Sequence, residues 1–207
     1  MIKKICTLHL ELKLLTGLHI GGYESTFDIG GADSSVIKNP LTMQPYIPGS
    51  SLKGKLRTLL TYRYNSPSAD GIELNDSNML NLFADVEQKS PSVTRAIFRD
   101  MFLTKESLDL LEKSLGEKVY TEIKAENKIN IMKGKAEHPR FIERVPAGVS
   151  FQGEINLMVF DGDDEQSMKD TIKQALHLLE LNYLGGNGSR GYGRVKIVKD
   201  EWTDELI

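Results

Sequence analysis

The sequence predicts an α+β fold, and three observations predict it. Residues 3–15 alternate, with Leu8, Leu10, Leu12 and Leu14 on one face and His9, Glu11 and Lys13 on the other, the period of a half-buried strand. Two later segments instead carry helical stripes: Leu52, Leu56, Leu59 and Leu60 within 51–64, and Met168, Ile172, Ala175, Leu176 and Leu179 within 166–183. The length of 207 residues, 40% of them hydrophobic, fits one packed domain with room for large insertions.

The remaining elements follow in order. After the first strand comes a long irregular stretch marked by Gly17, Gly21, Gly22, Gly30 and Gly31; loops of this length usually carry function or lack order. Pro48-Gly49-Ser50-Ser51 stops the chain and offers a serine N-cap to the first helix. Residues 94–103, with Ile97, Phe98, Met101 and Phe102, read as a strand, and 104–115 as a short helix through Leu108, Leu111 and Leu115. From Val119 to Gly148 charge is high and periodicity weak. Residues 149–160 alternate again through Phe151, Ile155, Leu157 and Val159, and 193–199 close the series as a strand. Strand, helix, strand, insertion, strand, helix, strand is the order of the ferredoxin-like (RRM-like) βαββαβ plan. It predicts one domain over 1–207, with insertions at about 16–48 and about 104–148. The plan by itself names no function.

Composition excludes more than it assigns. No apolar run approaches the roughly 20 residues needed to span a bilayer. Met1-Ile2-Lys3-Lys4 leads straight into the first strand, which argues against a signal peptide and for a cytoplasmic protein without a membrane partner. Cys6, the only cysteine, excludes an internal disulfide and a cysteine-based zinc site and reads as a small core residue. The net charge of −3 argues, as an average, against nucleic acid, but the charges are segregated. Ser34–Ala69 holds no acid and carries Lys38, Lys53, Lys55, Arg57 and Arg63; Leu184–Lys199 holds none and carries Arg190, Arg194, Lys196 and Lys199. Charge alone leaves open whether these stretches form one phosphate groove or two solvated faces.

Gly49-Ser50-Ser51-Leu52-Lys53-Gly54-Lys55-Leu56 approaches a nucleotide-binding P-loop, but Leu56 lacks the hydroxyl that such a loop places on Mg²⁺. The residues keep a physical use. Ser50 and Ser51 open a helix whose N-terminus favours a phosphate, and Lys53 and Arg57 share one flank with Tyr64 while Lys55 projects from the other. Gly185-Gly186-Asn187-Gly188-Ser189-Arg190-Gly191-Tyr192-Gly193 has five glycines in nine residues, more than a helix end and a turn require. They let main-chain N–H groups approach a ligand, with Arg190 as a forked phosphate donor and Tyr192 as a stacking surface. His19 reads from the residues alone as a hydrogen-bonded structural residue, His9, His138 and His177 show no metal-ligand spacing with one another, and Asp33, on a glycine-bearing loop with Asp28, reads as a turn former.

Taken together, Thr16–Gly22 with Asp33, Ile47–Lys55 and Gly185–Gly193 resemble the RAMP proteins, the repeat-associated RNA-binding proteins of CRISPR systems. Ile97-Phe98-Arg99-Asp100 and Leu179–Gly186 narrow the resemblance to the repeated backbone subunit of the type III-A (Csm) effector, the third Csm subunit in the usual order. The resemblance implies copies stacked head-to-tail along a guide crRNA, beside other Csm effector subunits. It implies that Lys53, Lys55, Arg57 and the glycine loop hold guide phosphates, with His19 in the same RNA-binding set. It also implies a thumb-like insertion within 119–147 that displaces one base pair at regular intervals, with Asp33 beside the displaced position and needed for cutting target RNA. An unstacked nucleotide can bring its 2′-OH in line with the next phosphate. Asp33 is then expected to act mainly through Mg²⁺ or another divalent metal, or by positioning, rather than as an unaided general base. Two other readings stay open: a guide-processing endoribonuclease of the same superfamily with His19 as base, and a non-catalytic filament subunit.

Overall fold

The computed structural model describes residues 1–22, 33–64, 81–83, 93–132 and 134–206. Asp28 and Gly30-Gly31 lie outside the described residues. The fold is mixed α/β with antiparallel sheets. Strand β1 (Ile2–Leu14) lies at the centre, paired with β7 (Ser150–Phe160) on one side and β8 (Val195–Leu206) on the other. Beyond β7 come β3 (Ala96–Phe98) and β4 (Met101–Leu103), and β2 (Tyr46–Ile47) closes the edge against β4. The leucines of β1 meet the apolar row of β7 directly, Leu8 opposite Ile155 and Leu12 opposite Phe151. Helices α1 (Gly49–Tyr64) and α3 (Glu165–Glu180) contribute Leu52, Leu56 and Leu60, and Met168, Ile172 and Leu176, to the same buried cluster. Each such side chain contributes about 1.5–3 kcal/mol when buried, so the alternation of β1 and the two stripes specify one core.

The sequence-predicted strand over 94–103 is two strands, β3 and β4, broken by a bulge. Ala96 pairs with Leu157 and Phe98 with Ile155, but Phe102 pairs with Gln152, so Arg99, Asp100 and Met101 oppose only Glu154 and Gly153. The bulge turns the Asp100 carboxylate onto the N–H of Gly49, 2.8 Å away, at the start of α1. That contact starts α1 at Gly49, two residues before the predicted start. The predicted helix over 166–183 stops at Glu180, whose carboxylate accepts the Ile197 N–H at 2.8 Å and pairs with Lys196 at 3.1 Å. The last strand continues seven residues past 199, because its acids have partners: Asp204 meets Lys4 at 2.9 Å and Lys169 at 3.3 Å.

The short helix expected over 104–115 is α2 (Lys105–Leu115), capped by Thr104 on the Ser107 N–H, and the weakly periodic stretch after it holds a hairpin that forms its own sheet, β5 (Glu122–Asn130) with β6 (Lys135–Arg144). Its tip exposes Ile131 and Met132, both above 90%. The hairpin's base is tied to the body where Leu18 pairs with Val145 and Ser34 with Ile142.

A Cβ at Gly153 would stand 2.6 Å from Met101 Cγ and 3.1 Å from Asp100 O, so the bulge requires glycine there. Gly153→Ala is expected to cost about 1–3 kcal/mol, seen as a lower denaturant midpoint at unchanged slope.

Candidate nucleic-acid interface

The N-terminus of α1 differs from its predicted form. Ser51 and Leu52 donate their N–H groups to Pro48 O, at 3.0 and 3.1 Å, and Gly49 donates to Asp100. A carboxylate rather than a serine hydroxyl caps this end, and it already faces the positive pole of the helix. Ser50 is exposed and Ser51 half-buried on the first turn. Tyr64 reaches across to α3, where its hydroxyl donates to Gln174. Lys53, Lys55 and Arg57 are all half-buried, and among the described residues no carboxylate pairs with any of them. Burial pushes the Lys53 and Lys55 ammonium groups below the ordinary lysine value, and the Arg57 charge adds to the effect on Lys53. Cations held out of water without a counter-charge gain more from an incoming phosphate than solvated lysines do.

The glycine loop meets one of these cations, Lys55, at Tyr183, which the sequence pattern did not single out. Lys55 Nζ stands 3.5 Å from the Tyr183 ring centroid, and Gly188 packs on the same ring so closely that a Cβ would lie 2.0 Å from a ring carbon. Main-chain bonds close the loop: Leu184 N–H to Gly193 O at 2.8 Å, and Gly186 N–H to His19 O at 2.8 Å. Asn187 takes a left-handed conformation and Gly188–Arg190 form a single 3-10 turn. Gly186, Ser189, Arg190 and Gly191 are exposed and Gly185 is half-buried, with Arg190 Nη1 donating to Asn187 Oδ1 at 3.2 Å. The two acid-free stretches therefore approach each other at Tyr183, through Lys55 and Gly188. The signal that would have singled out Tyr183 is an aromatic directly before the glycine run, at the end of a buried helix.

Tyr192 does not offer a stacking face. Its side chain is 1% exposed, its hydroxyl donates to Glu126 Oε1 at 2.8 Å, and Lys124 and Arg144 stand 4.7 and 5.2 Å from its ring centroid. Burial, reinforced by the Glu126 acceptor, pushes the phenol up to about 12.

His19 is likewise enclosed. It is 6% exposed; its Nδ1 donates to Glu143 O at 2.7 Å and its Nε2 bonds Ser34 Oγ at 3.1 Å. Both ring nitrogens are engaged, so the imidazole holds neighbouring main chain instead of meeting RNA. Next to Ser34, Asp33 is exposed and mutually bonded to β6: its N–H donates to Phe141 O at 2.8 Å, and its Oδ2 accepts the Phe141 N–H at 2.7 Å. The segment after it is pinned by Glu143, which accepts the Val36 N–H at 2.9 Å and the Thr121 hydroxyl at 2.6 Å and pairs with Lys38. Burial works against the Glu143 charge, but Lys38, Thr121 and the Val36 N–H hold its carboxyl below the usual glutamate range.

Among the described residues, the one group of three side chains with metal-ligand spacing is Cys6, Glu165 and Asp204, and Lys4 and Lys169 already neutralise its carboxylates. Asp33 belongs to no such group. Mg²⁺ is commonly held by one or two carboxylates plus substrate phosphates, and Asp33 keeps Oδ1 for that use. Among the described residues, Asp33 fits that arrangement and not a cage built from protein alone. No helix among the described residues is long and apolar enough to cross a membrane.

Fold and site together define an antiparallel α/β domain with half-buried cations beside a glycine loop and a carboxylate anchored on a hairpin. The chain belongs to the RAMP superfamily, whose family model matches residues 11–196. It is 46% identical over 192 residues to the CRISPR system Cms endoribonuclease Csm3 of Streptococcus thermophilus, covering 91% of this chain and 85% of that protein. Its fold is similar to the Csm3–Csm4 subcomplex of the type III-A CRISPR-Cas interference complex, with a TM-score of 0.63 at 23% identity over 100% of this chain and 82% of that one. It is also similar to the type III-B Cmr-beta complex bound to cognate target RNA, with a TM-score of 0.65 at 17% identity over 96% of this chain and 61% of that one.

Because folded Glu143 titrates below the ordinary glutamate value, its stabilisation is complete above about pH 4.3 and fades as pH falls through the folded value. Glu143→Gln is expected to lower stability at pH 7 by about 1–3 kcal/mol. Thermal melts between pH 3 and 7 should show a flatter acid dependence in the variant than in the parent.

Proposed function

We propose that this chain is the crRNA-binding backbone subunit of a type III-A CRISPR interference complex and cleaves guide-paired target RNA at regular intervals. The observation that carries this is the meeting of Lys55 with the glycine loop at Tyr183, on a helix whose Lys53, Lys55 and Arg57 are half-buried and pair with no acid among the described residues. The strand order β8-β1-β7-β3/β4, with α1 and α3 packed into one core, supports the ferredoxin-like (RRM-like) reading of the domain. Copies of the chain stack head-to-tail on the guide, a heterologous contact that repeats until another Csm subunit caps it. The hairpin serves as the thumb: Ile131 and Met132 at its tip are exposed apolar side chains suited to wedge between stacked bases.

Cleavage proceeds from the splayed nucleotide, whose 2′-OH lines up with the adjacent phosphate. Asp33 lies on the exposed side of the hairpin base, fixed through Phe141, and its Oδ1 accepts the 2′-OH proton or holds a divalent ion. When bound, such an ion supplies positive charge to the phosphate oxygens. The rival role for His19, as base of a guide-processing nuclease, needs a ring nitrogen that can reach RNA, and both nitrogens are already engaged inside the fold.

Reversing Lys53 and Arg57 to glutamate is expected to weaken guide binding and to reduce the slope of log affinity against log salt by about 0.7 for each phosphate no longer neutralised. Unchanged affinity and slope would remove α1 from the interface. Asp33→Ala is expected to abolish target cutting while guide and target binding persist. Retained cutting by that variant would overturn its role, full activity in chelator would exclude the ion, and normal cutting of a target with 2′-deoxy at the scissile nucleotide would exclude 2′-OH attack.

A further inference from the structure

Tyr192 sits in the glycine loop in sequence, yet its side chain contacts the hairpin. Its hydroxyl bonds Glu126, and its ring lies against Lys124 and Arg144. These cations are held in turn by hairpin carboxylates, Lys124 by Glu126 at 3.2 Å and Arg144 by Glu122 at 2.7 Å. The loop's own closure does not use this side chain, since main-chain bonds from Leu184 to Gly193 and from Gly186 to His19 close it.

The part of β5 that Tyr192 grips is also the part that supports Asp33. Lys124 pairs with Ile142, Ala125 with Phe141 and Glu126 with Arg140, and Phe141 is the residue that exchanges two hydrogen bonds with Asp33. Three links thus lead from the glycine loop to the Asp33 carboxylate: Tyr192 to residues 124–126, the ladder to Phe141, and Phe141 to Asp33.

We propose that Tyr192 is a positioning residue for target cleavage, a peg on the guide-phosphate loop that sets the hairpin, and with it Asp33, against the bound RNA. This rests on the function proposed above. A displacement of the order of 1 Å at a reacting group can cost about a hundredfold in rate, while loop N–H groups that hold phosphate tolerate the same change in the hairpin. The ring fills the space between the two cations and the hydroxyl adds one charge-assisted bond, so phenylalanine keeps most of the peg and leucine removes its cation–ring interactions.

The test uses the assembled effector complex carrying Tyr192→Leu or Tyr192→Phe in every copy, with Asp33→Ala alongside, and a target RNA complementary to the guide. For Tyr192→Leu the expected result is guide affinity and salt slope within about twofold of the parent, cutting slowed about tenfold or more or displaced from its regular positions, and recovery in Tyr192→Phe. Cutting by Tyr192→Leu at parental rate and positions would overturn the proposal, as would a fall in guide affinity in step with cutting, which marks simple support of the loop. If Tyr192→Leu does not assemble, Lys124→Met with Glu126→Gln removes the hairpin's half of the contact and leaves the glycine loop untouched. That double variant must show the same split between binding and cutting, or the proposal fails. A parent complex that does not cut, or an Asp33→Ala complex that does, sinks the underlying function instead.

Discussion

Between Leu14 and His19 the main chain is bonded to three other parts of the molecule. Leu14 exchanges hydrogen bonds with Gly148 and Val149 at the entry to β7; Leu15 and Thr16 donate to Arg194 and Gly17 accepts from Gly193; and Leu18 pairs with Val145 at the foot of the hairpin. These bonds form only if β1 arrives in one register, and its leucine row fixes that register, because a slip by one residue would turn every leucine to the opposite face. The glycine loop, the hairpin and the Asp33 segment are all referred to this short stretch. The core therefore sets the relative placement of the RNA-facing groups as well as the stability of the domain.

Electrostatics divides along the same lines. Acids are paired where they hold structure: Glu143 with Lys38 beneath the Asp33 segment, Glu180 with Lys196 at the end of α3, Asp204 with Lys4 and Lys169 across β1 and β8. Among the described residues, Lys53, Lys55 and Arg57 on α1 pair with no acid. A net charge of −3 is then compatible with binding a polyanion, because these acids are engaged away from α1.

The sequence carried much of the fold. Alternation in β1 and β7 and the stripes of α1 and α3 were legible because each is a long element facing one core. The bulge at Arg99–Met101 was not, since a one-residue register shift leaves no periodic signature and depends on Gly153 in a distant strand. Likewise β8 looked finished at its acids, whose lysine partners lie on β1 and α3. At the site, Lys55 and the glycine loop meet at Tyr183, and the family resemblance was needed to single out Asp33. Tyr192 and His19 both lie enclosed: residue type shows what a side chain can bind, but their burial depends on a hairpin absent from any local pattern.

Strand β8 is the outer strand of the main sheet among the described residues, twelve residues long and unpaired on one side. Along it run Lys196, Lys199, Asp200, Glu201, Asp204 and Glu205, and of its larger apolar side chains Val198 stands about half exposed. Any second strand docking there would have to strip water from charges of both signs in a fixed register. For copies lined up on one guide as proposed above, this makes the sheet edge a poor adhesive, so that multiplication of subunits is governed by the nucleic acid and by the faces that grip it, and sheet does not grow onto sheet.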